Sequence, residues 1–69
     1  MSKLKGYRVM AGLTQGDMSN VLGYSRINYC YKENEVRKFS ATEQEIILNV
    51  LNKNIKGQAL EVEDVFPIE

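Results

Sequence analysis

The sequence predicts an all-α domain of five short helices, on three observations. Helix-start signals recur: Thr14 stands three residues before Asp17 and Ser40 three before Glu43, the spacing of a capping box, and Ser25 is a further N-cap. Between these signals the apolar residues fall at helical spacing. No stretch shows the strict apolar/polar alternation of a half-buried strand.

The elements follow in order. Residues 3–11 form a first helix, with Ser2 as its cap and Leu4, Tyr7 and Ala11 on one stripe. Gly6 inside it costs about 1 kcal/mol relative to alanine, and Gly12 is the stop. A second helix runs Gln15–Leu22, with Met18, Val21 and Leu22 on its apolar face. Gly16 in its first turn reads in two ways: tolerance near a helix end, or a missing side chain that lets a phosphate approach the amides. Gly23 ends this helix in the left-handed conformation that only glycine takes cheaply, and Ser25 starts a third, Arg26–Glu33. Residues 34–40 are a polar linker with Asn34 and Glu35 as the stop. A fourth helix runs from Ser40 to about Asn52 and turns Ile46, Ile47, Val50 and Leu51 to one side. Residues 53–59 are a loop, and 61–66 a single helical turn with Val62, Val65 and Phe66 inward, ended by Pro67.

Composition narrows the classes. A chain of 69 residues makes one domain with a small core. With 26% charged residues in even balance it is not disordered by composition. No apolar run approaches the roughly 20 residues that span a membrane, and the start, MSKLKGYRVM, is too polar for a secretory signal. A cytoplasmic protein without membrane contact is expected. Cys30 stands alone and histidine is absent, so neither an internal disulfide nor a zinc site is available, and no cofactor is expected. Such a small chain relies on packed helices, helped by dimerisation. Charge is unevenly placed. In residues 1–38 seven basic side chains face three acidic ones, a local charge of +4; in 39–69 two face six, a local charge of −4. This is either chance segregation or a molecule that presents its basic end to an anion.

The central stretch, GLTQGDMSNVLGYSRINYCYKEN (residues 12–34), holds two short helices joined by a glycine turn. That is a helix-turn-helix, whose second helix enters the DNA major groove. The chain resembles the lambda-repressor-like family, the phage Cro proteins and repressor N-terminal domains. The resemblance rests on Gly12-Leu13-Thr14-Gln15, on Leu22-Gly23 with Ser25-Arg26, and on Lys32-Glu33-Asn34, in register over about twenty residues. It extends through "FSATEQEIILNVLN" and "VEDVF", and so covers nearly the whole chain.

The resemblance implies a set of roles. Gln15 matches the family's phosphate-clamping glutamine, with Thr14 beside it and the helix dipole behind. Arg26, Ile27 and Tyr31 fall where the family reads base edges, and Asn28 where it reads a base or a phosphate. Arg8 and Glu33 match a structural ion pair between the first and third helices. Asn34 and the residues after it match a loop whose backbone amides meet a second phosphate. Three positions depart from the pattern. Ser19 replaces a small alanine. Lys32 stands at a normally apolar site, where its stem can pack while its ammonium reaches water or phosphate. Glu35 stands where glycine is usual, so a different loop path is expected. The segment before VEDVF is longer than usual, which leaves the packing there and any dimer interface open.

Side-chain chemistry fits these roles independently of the family. Arginine can grip guanine in two parallel bonds, isoleucine touches a thymine methyl, and asparagine suits adenine. Tyr31 lies one turn beyond Ile27 and shares its face, while Tyr29 points the other way as the core anchor. The alternatives are a solvent-facing Arg26, Ile27 buried in place of Tyr29, Tyr31 as a packing aromatic, and Arg8 as a surface phosphate binder. Lys32, Arg37 and Lys38 are phosphate contacts or bland surface charge.

The function expected is a sequence-specific transcriptional regulator, a Cro-like repressor of a phage or prophage, bound as a homodimer to a double-stranded operator and needing no small-molecule ligand. The alternative is an antitoxin-like or anti-repressor module that holds a protein partner with the same fold. An enzyme is not expected, because the sequence carries no histidine, metal cluster or phosphate-cradling glycine loop.

Overall fold

A computed structural model describes residues 2–67. Glu69, counted above in the acidic half, lies outside them. All regular structure among the described residues is helical: α1 (Leu4–Met10), α2 (Gln15–Leu22), α3 (Arg26–Glu33), α4 (Ala41–Asn54) and α5 (Val62–Val65).

The helix starts follow the caps. Thr14 Oγ1 accepts from the Asp17 amide at 3.0 Å and the Asp17 carboxylate accepts from the Thr14 amide at 2.8 Å, closing a capping box. Ser40 and Glu43 repeat it for α4. Ser25 Oγ accepts from the Asn28 amide at 3.3 Å and starts α3. Ser2 acts from one residue further out than expected: Lys3 is the cap residue of α1, while the Ser2 hydroxyl accepts from the Leu4 amide.

The first three stops share one geometry. Gly12 and Gly23 have φ of 75° and 81°, and they turn the following amides, of Leu13 and Tyr24, back onto carbonyls of α1 and α2. The third stop is made by Glu35, at φ 66°. The Glu35 amide donates to Lys32 O at 3.1 Å and the Val36 amide to Tyr31 O at 2.9 Å, which is a Schellman turn. The loop therefore takes the glycine-type path, and the expected detour is absent. A non-glycine residue in this conformation costs about 1–2 kcal/mol, partly offset where Glu35 Oε1 accepts from the Ser2 amide at 3.0 Å.

The core is Leu4, Met18, Tyr29, Ile47, Leu51, Ile55, Leu60 and Val65, all buried. Tyr29 is its largest side chain, and the Phe39 ring, 6.0 Å away, carries the aromatic contact on to Phe66. The Lys3 amide donates to Val65 O at 2.9 Å, tying the start of α1 to the end of α5.

Three expectations change. Val21 is 45% exposed, because α2 buries its Met18–Ser19 side and only half-buries Leu22. Helix α4 continues to Asn54, past the expected end at Asn52. Ile55, expected in a loop, and Leu60, given no element by the sequence, are core residues. The Asn52 carboxamide brackets that loop. It accepts from the Leu60 amide at 2.8 Å and donates to Leu60 O at 3.1 Å, imitating a strand partner. Ser19 is buried but satisfied, its hydroxyl donating to Gly16 O at 2.8 Å. No described helix is long and apolar enough to cross a membrane.

Candidate nucleic-acid interface

Helix α3 has one sealed face and one open one. Tyr29 is fully buried, while Arg26, Ile27, Asn28 and Tyr31 are exposed, Ile27 at 63%. Of the two candidates for core anchor, Tyr29 takes the position and Ile27 does not. Gln15, Arg26, Ile27, Cys30 and Tyr31 border one shallow hollow of about 120 Å³. The start of α2 and the start of α3 thus open onto the same side of the molecule. Arg37 extends this side, with its guanidinium 5.7 Å from the centre of the Tyr31 ring. Lys38 is exposed as well.

A buried polar node lies behind this face. Arg8 Nε donates to Glu33 Oε2 at 2.8 Å and Arg8 Nη2 to Glu33 Oε1 at 3.2 Å, a two-pronged pair. The remaining guanidinium nitrogen, Nη1, donates to Leu13 O at 2.8 Å. Tyr29 Oη donates to Glu33 Oε2 at 2.6 Å and Gln15 Nε2 to Glu33 Oε1 at 3.3 Å. One carboxylate, its side chain 1% exposed, therefore joins α1, α2 and α3. Its burial alone would raise its pKa, but the bonds from Arg8, Tyr29 and Gln15 outweigh burial and hold it below the usual carboxylate range. Hydrogen bonding to Glu33 raises the Arg8 pKa in turn, and burial raises that of Tyr29. At neutral pH the node is an ionised pair with a neutral tyrosine.

Two residues assigned to phosphate are otherwise engaged. The Lys32 ammonium donates to both Glu43 oxygens, at 3.0 and 2.9 Å, and lies 4.8 Å from the centre of the Tyr24 ring. Its stem packs as expected, but its charge is taken by α4 and does not reach the open face. Asn34 turns its carboxamide back on α3, donating to Cys30 O at 3.0 Å and to Cys30 Sγ at 3.2 Å. The backbone amides of Asn34, Glu35, Val36 and Arg37 all donate to α3 carbonyls, so the Schellman turn has consumed the donors expected to meet a phosphate. The Thr14 hydroxyl is exposed and serves as the cap. The side-chain donors left on the open face are Gln15, Arg26, Asn28, Tyr31 and Arg37; the Thr14 hydroxyl accepts as the cap and keeps its own proton to donate, while Lys38 borders a second hollow with Phe39 and Phe66.

Sequence reasoning missed four partnerships. Tyr29 joins Glu33 at i, i+4 spacing, a signal that was available in the sequence. The partnership of Lys32 with Glu43 and Tyr24, and the use of Gln15 by Glu33, need the folded chain to be seen. The Tyr24 hydroxyl is buried and makes no well-formed hydrogen bond, although Glu43 lies close enough to add to the upward pKa shift caused mainly by burial. No group of three or more metal-ligating side chains occurs among the described residues.

Compared with known family models, curated proteins and solved structures, the chain matches none.

Proposed function

We propose that this chain is a lambda-repressor-like helix-turn-helix protein that sets α3 into the major groove of double-stranded DNA and regulates transcription in the manner of a Cro repressor. One observation carries the reading: the first turn of α3 is open while Tyr29 is sealed beneath it, and Gln15 borders the same hollow as Arg26. Arg26 then reads guanine, Ile27 and Tyr31 offer apolar contact to thymine methyls, and Asn28 suits adenine or a phosphate. Gln15 at the start of α2 and Arg37 and Lys38 beyond α3 hold the backbone. A module this small buries little DNA surface, so tight binding calls for two copies on half-sites about 34 Å apart.

Binding-site selection with the purified protein, followed by a gel shift at low salt, tests the reading. Arg26→Ala together with Gln15→Ala abolishes the shift. Undiminished binding by that double variant refutes the docking face.

A second reading is a partner-binding module of the same fold. It is favoured by Val9 and Met10, exposed at 61% and 59% on α1, where DNA docked on α3 gives them no role. A monomer that ignores DNA at low salt decides for this second reading.

A further inference from the structure

The bond between Gln15 and Glu33 does more than add a contact. A carboxamide has a donor end and an acceptor end, and a free glutamine can present either by turning over. An ionised carboxylate only accepts. With Glu33 Oε1 3.3 Å from Gln15 Nε2, the turned-over amide would set oxygen against oxygen. Glu33 is itself held by Arg8 at 2.8 and 3.2 Å and by Tyr29 at 2.6 Å.

We infer that Glu33 is a positioning residue for Gln15: it locks the carboxamide with one N–H inward and leaves the second N–H as a pre-aimed donor for an anionic oxygen at the start of α2. The inference rests on the DNA-binding reading for the identity of that oxygen, a backbone phosphate. It also gives Arg8 a part to play. An uncompensated carboxylate beside Gln15 would repel a phosphate, and the two-pronged guanidinium contact cancels its charge. The α1–α3 ion pair thus belongs to the docking face although none of its atoms borders the hollow.

Nitrogen-15 relaxation of side-chain amides in the free, full-length protein tests this without DNA. The Gln15 amide is expected to be nearly as ordered as the α2 backbone and far more ordered than that of exposed Gln58. In Glu33→Gln it falls toward the Gln58 value. A wild-type Gln15 amide as mobile as Gln58 overturns the inference, and this reading needs no variant to fold. The second arm uses a duplex that the wild type retains, at a temperature where every variant is folded. Gln15→Ala and Glu33→Gln each weaken binding by roughly tenfold, the scale of one hydrogen bond to a charged group, and together weaken it no more than Gln15→Ala alone. Losses that multiply in the double variant overturn the inference. Full affinity in Gln15→Ala, beside an ordered amide, removes the docking face instead.

Discussion

Lys32 and Glu33 are neighbours in the last turn of α3, each in an ion pair, and the two pairs differ in nearly everything else. Glu33 faces inward, its side chain 1% exposed, and is shared among Arg8, Tyr29 and Gln15. Lys32 faces α4, and both it and Glu43 keep 19% of their side-chain surface in solvent. Water screens the second pair and not the first, so the same chemistry is worth different amounts. Removing one member of the inner pair strands a buried charge. Removing Lys32 leaves Glu43 near water, still bonded to the Ser40 amide.

Glu33→Ala leaves the Arg8 guanidinium buried without its carboxylate, and urea unfolding should show a loss of about 3–5 kcal/mol, a large share of the stability of so small a domain. A loss below about 1 kcal/mol would mean that water reaches the inner pair as freely as the outer one. Lys32→Met should cost about 1 kcal/mol or less in the same assay. It should also leave the salt dependence of the proposed DNA binding unchanged, because its ammonium pairs with Glu43. Arg37→Ala should reduce that dependence by about one ion.

Acid sharpens the contrast further. Burial works against ionising Glu43, but the Ser40 amide, Lys32 and Tyr24 outweigh it and bring the carboxyl down to about 2. A depressed carboxyl stabilises the fold above its unfolded pKa, here near 4.5, and that contribution fades as pH falls toward about 2. Glu33 is displaced in the same direction. The melting temperature should therefore drop below about pH 4.5, and Glu43→Gln should flatten that limb only in part, since Glu33 remains. Complete flattening would assign the whole acid response to the outer pair.

The smallest effect concerns the turn that follows both residues. Glu35→Gly relieves a left-handed φ of 66° and forfeits one exposed bond to the Ser2 amide. A thermal melt should show a net gain of about 0.5–1 kcal/mol, and a loss would mean that the Ser2 bond outweighs the strain.

Local signals were the legible ones. The bounds of α2 and α3 follow from Thr14, Asp17, Gly23 and Ser25, because a cap acts within three residues of itself. The exposure of Arg26 and the burial of Tyr29 follow from helical spacing. The end of α4 did not, since Lys53 and Asn54 carry no apolar period to mark it. Ile55 and Leu60 were hidden because their burial depends on Asn52 closing a loop across eight residues. The Lys32 pairing is hidden for a related reason: its partner Glu43 is eleven residues away on another helix. The left-handed Glu35 has no local signal of its own, since neither its side chain nor its neighbours call for a positive φ.

The Asn52 bracket has a practical consequence. It fixes residue 60 against residue 52, so the entry into α5 is set by that clasp and not by the span between. Extra residues spliced beside Gly57, where the chain is exposed and already turned at φ 83°, enlarge a closed ring at small entropic cost. A fluorescent or affinity tag inserted there would leave the helices in register.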